Sequence, residues 1–136
     1  MEKSEQIYNV SAAAKGEGGS TYLNTDNNQI EVFVEVTGYQ NGLTAHELKH
    51  CYQFEKGKIS FNKDNGGAGV LYDITDEVEA YNRQSYIEDG TNNKTYTAES
   101  VIEFGKRHGI DYSKLPKKKR TIRNYKNIPE NEYVKK

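Results

Sequence analysis

Leu43-Thr44-Ala45-His46-Glu47-Leu48-Lys49-His50-Cys51-Tyr52-Gln53-Phe54-Glu55-Lys56 is the stretch on which the reading of this chain turns. Ala45, Leu48 and Tyr52 recur at helical spacing and Gly57 stands where a helix would stop, so the run predicts an active-site helix over 43–56. On it His46 and His50 are four residues apart, and their imidazoles project from one face about a turn apart. Imidazoles so placed can take two corners of a tetrahedron around one metal ion. Glu47, next in sequence, can reach a water beside the ion rather than the ion itself. Zinc hydrolysis needs that division of labour: Zn²⁺ lowers the pKa of water towards ~7, and a carboxylate removes the proton and later delivers it to the leaving amine. Leu48 is expected on the opposite side, anchoring the helix to the core.

Upstream, Ile30, Val32, Val34 and Val36 alternate with Glu31, Phe33 and Glu35, the period of a half-exposed strand. Such a strand could hold an extended substrate at a sheet edge by main-chain hydrogen bonds, or equally be an ordinary core strand. Thr21-Tyr22-Leu23 reads as a shorter strand between Gly- and Asn-rich turns. Downstream, a short strand is expected at Ile59-Ser60-Phe61 and a mobile loop over Asn62 to Gly69. A second helix, capped by Asp73 or Thr75, should run to about Ile87 with Ile74, Val78, Tyr81 and Ser85 on one face, before Asp89-Gly90-Thr91-Asn92-Asn93. A third is expected from Thr97 to about His108, burying Val101, Ile102 and Phe104 and stopping at Gly109. The expectation is an α+β fold, a small curved sheet packed on the active-site helix with a second ligand-bearing helix beside it. Residues 1–112 form the body and 113–136 a basic C-terminal tail, poorly structured beyond Pro116.

A third ligand must come from elsewhere, leaving one corner open. The active-site helix cannot supply it in the usual way, because that requires glycine at 53 and histidine at 56, where Gln53 and Lys56 stand. The acidic run Asp73-Ile74-Thr75-Asp76-Glu77-Val78-Glu79 can. Glu77 is the first choice among its acids, since its face carries Ala80, a small residue that would let the active-site helix approach. Cys51 is rotated roughly 100° from His50 and reads as a small buried residue. His108, in a last helical turn beside Lys106 and Arg107, reads as a helix-dipole partner. Tyr72 and Tyr81 are candidates to hydrogen-bond an oxyanion or to support the ligands.

Thr44-Ala45-His46-Glu47-Leu48-Lys49-His50, followed by Glu77-Val78-Glu79-Ala80-Tyr81, resembles the zincin superfamily of metallopeptidases, in the branch whose third ligand is glutamate. The resemblance implies His46, His50 and Glu77 as zinc ligands and Glu47 as general base of peptide-bond hydrolysis. Where families of this branch often carry Asp or Asn after the alanine, this chain has Tyr81. More narrowly, Ala45 to Gln84, including His50 to Gly57 and Gly69 to Glu77, resembles the zinc metallopeptidase domains at the C-termini of Rhs-type and related polymorphic bacterial toxins. That resemblance implies an effector released from a larger secreted protein and paired with a cognate immunity protein. The rival expectation is a binding module that keeps such a fold without turnover.

Composition narrows the field. The chain has 136 residues, enough for one domain, of which 34% are apolar and 29% charged, so the core must be small. From Ser113 onward nine Lys and Arg face two Glu, a net of +7, which leaves −8 on residues 1–112. An acidic body does not suit a general nucleic-acid binder, although a basic tail could still touch an anionic partner. The only cysteine, Cys51, cannot form an intramolecular disulfide. No apolar run approaches the ~20 residues that span a bilayer, and the start lacks the apolar stretch of a signal peptide, so a soluble chain is expected.

Overall fold

The computed structural model describes residues 4–36, 40–89 and 95–135. Three strands form one sheet: β1 (Tyr8–Ala13), β2 (Gly19–Asn24) and β3 (Gln29–Glu35). Their order is β1-β3-β2, with β1 parallel and β2 antiparallel to β3. Helix α1 (Gln40–Glu55) packs on the sheet, α2 (Ile74–Asp89) on α1, and α3 (Ala98–Arg107) on α2. A two-residue ladder joins β4 (Phe61–Asn62) to β5 (Glu132–Tyr133), and a 3₁₀ turn spans Tyr112–Lys114. The architecture is α+β, as expected. The Asp89–Asn93 turn signal falls largely on 90–94, outside the described residues.

Alternation places Ile30, Val32 and Val34 on the buried face of β3, where they meet Leu23, Cys51, Phe54, Ile59 and Phe61 in the main core. A second cluster of Ile74, Tyr81 and Val101 joins α2 to α3. The predicted helices α2 and α3 stand within a few residues of their expected bounds because their caps are written locally. The Asp73 carboxylate accepts from Thr75 N–H (2.8 Å) and the Asp76 carboxylate from Asp73 N–H (2.9 Å), closing the start of α2. Thr97 and Ser100 form a reciprocal capping box on α3. Gly57, at φ +66°, ends α1.

Four expectations need correction. Strand β3 is central, the core-strand alternative of the two, so the exposed edge near the site belongs to β2 instead. Leu48 and Tyr52 are 44% and 49% exposed, not core anchors: α1 is covered on two sides by the sheet and α2, through Cys51, Phe54, His46 and His50, which leaves its regular apolar stripe facing solvent. Lysines 49 and 56 lie over the Tyr52 ring, 4.7 and 5.5 Å from its centroid. The 62–69 loop is tied down rather than mobile, with Gly66 N–H bonded to Asn62 O (2.7 Å) and Leu23 N–H to Gly66 O (2.9 Å). Finally, the segment beyond Pro116 is a strap along the body, because several of its residues find specific partners. Ile122 N–H bonds Gly57 O at 2.8 Å, and Tyr133 stacks on Phe54 with ring centroids 5.4 Å apart.

The strap's strongest tie is Glu132, buried where Ser60 Oγ (2.6 Å) and Val70 N–H (3.1 Å) both donate to Oε2. Replacing it with alanine leaves two buried donors without an acceptor, a loss of about 2–3 kcal/mol. Urea unfolding of Glu132→Ala should show a lower midpoint by that amount, with an unchanged slope.

Candidate metal centre

Helices α1 and α2 each contribute to one cluster. His46 and His50, a turn apart on α1, face Glu77 from the first turn of α2, and all three are buried. His46 Nε2 lies 3.2 Å from His50 Nε2 and 3.4 Å from Glu77 Oε2, and His50 Nε2 lies 3.2 Å from Glu77 Oε1. Nitrogen and oxygen ligands at 2.0–2.1 Å from a tetrahedral ion are separated by about 3.3 Å. The two imidazole nitrogens are therefore spaced as two such ligands would be, and each lies close to one of the two Glu77 oxygens, all within 4.8 Å of one another.

The second test is polar satisfaction. Glu77 Oε2 is buried and has no hydrogen-bond partner, although its other oxygen accepts from the Tyr72 hydroxyl. A cation in the cluster would satisfy it. Among the described residues, this buried group of His46, His50 and Glu77 can hold a metal ion. Close packing of the two helices makes it possible: Ala80 is fully buried, and a Cβ on Gly42 would run into Glu88 of α2.

Charge is concentrated here. Burial pushes the Glu77 carboxyl up, but the two imidazoles beside it outweigh that and hold the group well below the usual carboxylate range. Burial likewise pushes His50 down, and the Glu77 hydrogen bond and charge, with the Glu47 charge, overcome it and raise His50 to about 9. The Tyr72 phenol is driven far above its ordinary range by burial and by the adjacent Glu77 charge.

Gln53, fully buried three residues after His50, sets the imidazole's orientation. Its Nε2 donates to Asp76 O (2.9 Å) and Glu79 Oε2 (3.1 Å), which leaves Oε1 to accept from His50 Nδ1 at 2.8 Å. His50 Nδ1 therefore carries a proton and Nε2 is turned to the cluster. Glu79 is not a ligand: it binds Lys58 (3.0 Å) and Gln53 on the outer side.

Glu47 shares the cleft without joining the cluster. It is buried, and its Oε2 accepts from the Thr21 hydroxyl at 2.6 Å. Strand β2 passes so close that a Cβ on Gly19 would lie 2.6 Å from Glu47 Oε1. The cleft, about 240 Å³, is lined by Gly19, Ser20 and Thr21, by the three cluster residues and Glu47, and by Tyr72 and Tyr112.

The outer edge of β2 is open along the cleft. Glu35 N–H bonds Gly18 O, which fixes the hydrogen-bonded pairs with β3 at alternate residues and turns the main-chain groups of Gly19, Thr21 and Leu23 outward. Leu23 spends its N–H on Gly66 O; Gly19 and Thr21 have no such partner among the described residues.

Other predicted residues fall elsewhere. Tyr81 packs edge-on against His46 with centroids 4.5 Å apart and points its hydroxyl to Tyr112 Oη (2.8 Å), outside the cleft lining. Cys51 is buried. His108 is exposed at the end of α3 against Phe104. Sequence reasoning missed Thr21, Gln53 and Tyr112. The spacing of Gln53 from His50 was a usable signal, since residues three apart share a helix face. Nothing local marks Tyr112, which reaches the cleft only through the fold.

No family model, curated protein or solved structure matches the chain. No helix among the described residues is long and apolar enough to cross a membrane.

Titration with a divalent metal should give one site per chain, abolished by Glu77→Ala and kept by Glu79→Ala. Gln53→Leu should retain the site but weaken it by about 10- to 100-fold, the usual cost of losing a ligand's orienting partner.

Proposed function

We propose that this chain is a zinc-dependent peptidase with a zincin-like arrangement of ligands and base. One observation carries the reading: two histidines and a glutamate gather in a metal-sized cluster in the same cleft as a second, separate carboxylate, Glu47, with an open strand edge alongside. A purely structural metal site needs neither the extra carboxylate nor the cleft. Nitrogen donors with one carboxylate suit zinc among the common divalent ions.

His46 Nε2, His50 Nε2 and Glu77 would hold the ion. When bound, zinc supplies Lewis-acid polarisation of the scissile carbonyl and acidifies the attacking water. The chain's own groups do the rest. Glu47 takes the proton from the attacking water and returns it to the leaving nitrogen, so that the peptide C–N bond breaks to a carboxylic acid and an amine. Thr21 holds the Glu47 carboxylate by its hydroxyl. The outward main-chain groups of Gly19 and Thr21 suit an extended peptide, which would add to the sheet at β2. Tyr112, on the cleft wall, would donate to the oxyanion with Tyr81 as the donor in the hydrogen bond between the two hydroxyls, while Tyr72 is already committed to Glu77.

Replacing Glu47 with glutamine should lower kcat by about 10²- to 10⁴-fold and leave bound zinc at one per chain. Retained cleavage of a generic protein substrate would remove Glu47 from the mechanism. Tyr112→Phe should lower kcat by about 10- to 100-fold with little change in KM, as expected for a donor used in the transition state.

A further inference from the structure

The body of the chain is acidic, yet a run of three lysines near its end lacks an ion pair within 4.0 Å among the described residues. Residues 113–126 contain seven Lys and Arg and no Asp or Glu. Lys117, Lys118 and Lys119 are exposed, and among the described residues none of them forms an ion pair within 4.0 Å. They are not the loose tail that their composition suggests. Pro116 O accepts from Ile74 N–H at 3.0 Å, and Arg120 N–H donates to Asp73 Oδ2 at 2.7 Å. Both anchors lie just after Tyr72 of the cleft wall and just before Glu77. On the other side Lys117 follows five residues after Tyr112, which lines the same cleft. With its backbone anchored next to two cleft residues, this run carries three exposed lysines, of which Lys117 also feels the charge of Glu99, close in the chain to a cleft whose interior holds Glu47 and Glu77.

We infer that this run selects polypeptide substrates carrying acidic residues on one side of the scissile bond, an inference that rests on the peptidase reading above. Unpaired lysines on an anchored backbone attract an opposite charge that is already near, and they do so without first breaking internal pairs. A nucleic acid fits less well. Its phosphates would meet Glu47 and Glu77 in the cleft and a body of net −8, and the run is short against the footprint that sustains backbone binding. The open edge of β2 is complementary to a peptide backbone, not to a phosphodiester.

The test uses the whole zinc-loaded chain with Glu47→Gln, so that binding is read without turnover. Two labelled peptides, identical except for a flank of three glutamates or three glutamines, are compared by fluorescence anisotropy. The acidic peptide should bind roughly tenfold tighter, with the gap closing as salt is raised. Lys117→Gln/Lys118→Gln/Lys119→Gln should erase the gap while zinc content and melting temperature hold. Removing the exposed Lys15, Lys56 and Lys63 instead, which lowers net charge equally, should leave most of it. Equal binding of the two peptides, an equal loss from that distant variant, or tighter binding of a single-stranded oligonucleotide than of the acidic peptide would each overturn the inference. Binding of the acidic peptide without its cleavage by the Glu47-intact chain would leave the charge preference standing and overturn the peptidase reading alone.

Discussion

Glu77 places a carboxylate out of water between two imidazoles, and much of the surrounding structure answers to that arrangement. A buried anion is costly unless positive charge and hydrogen bonds meet it in place. Here the answer comes from α1, which turns His46, His50 and Gln53 towards α2. Gln53 then ties back to Asp76 O and Glu79, so the helix that carries the ligand glutamate also fixes the ring that faces it. Asp73 secures the same end of α2 from outside by accepting from Arg120 N–H. The two helices are held in register by polar groups where most helix pairs rely on apolar ones.

That inversion explains what was legible in the sequence and what was not. Alternation in 30–35, the caps of α2 and α3 and the stop at Gly57 are local signals, and the elements follow them. The spacing of His46 and His50 is likewise local, and Glu77 could be preferred from its helix face. The apolar stripe of α1 misled because periodicity reports which face is apolar, while burial here is set by the metal-sized cluster; Leu48 and Tyr52 are left outside. Strand β1 (Tyr-Asn-Val-Ser-Ala-Ala) gave no clear period, since it is an edge strand with most of its residues at least partly exposed. The order β1-β3-β2 depends on non-local pairing that no short window contains, so the edge beside the cleft could not be assigned to β2 in advance. Tyr112 and Thr21 reach the site by the same long-range route. The strap was misjudged for a related reason: its composition is that of a solvated tail, and four or five residues, Ile122, Glu132 and Tyr133 among them, supply the anchoring.

Strand β2 links fold to chemistry. Its inner groups complete the sheet, its outer groups stay open along the cleft, and it reaches Glu47, with Thr21 bonded to that carboxylate and Gly19 leaving room for it. A larger residue at 19 would push the carboxylate or the strand aside. On the proposed reading, the same segment positions both Glu47 and an extended substrate, so errors in strand placement would move both together and preserve their relation.

The small core gives a bound ion a further role. His46, Glu47, His50, Gln53 and Glu77 occupy interior volume that apolar side chains fill in an ordinary domain of this size, and they contribute little hydrophobic stabilisation. A ligand that binds only the folded state adds stability by mass action, about 2.7 kcal/mol at a free concentration one hundred times its Kd. The cluster and the fold thus support each other: packing of α1 on α2 brings His46, His50 and Glu77 together, and an ion held there would oppose the separation of α1 from α2. The strap works on the same joint from the other side, since it ties the end of α1 at Gly57 to the start of α2 at Asp73 through residues 120–122. Loosening either tie should be felt at the metal before it is felt in the sheet.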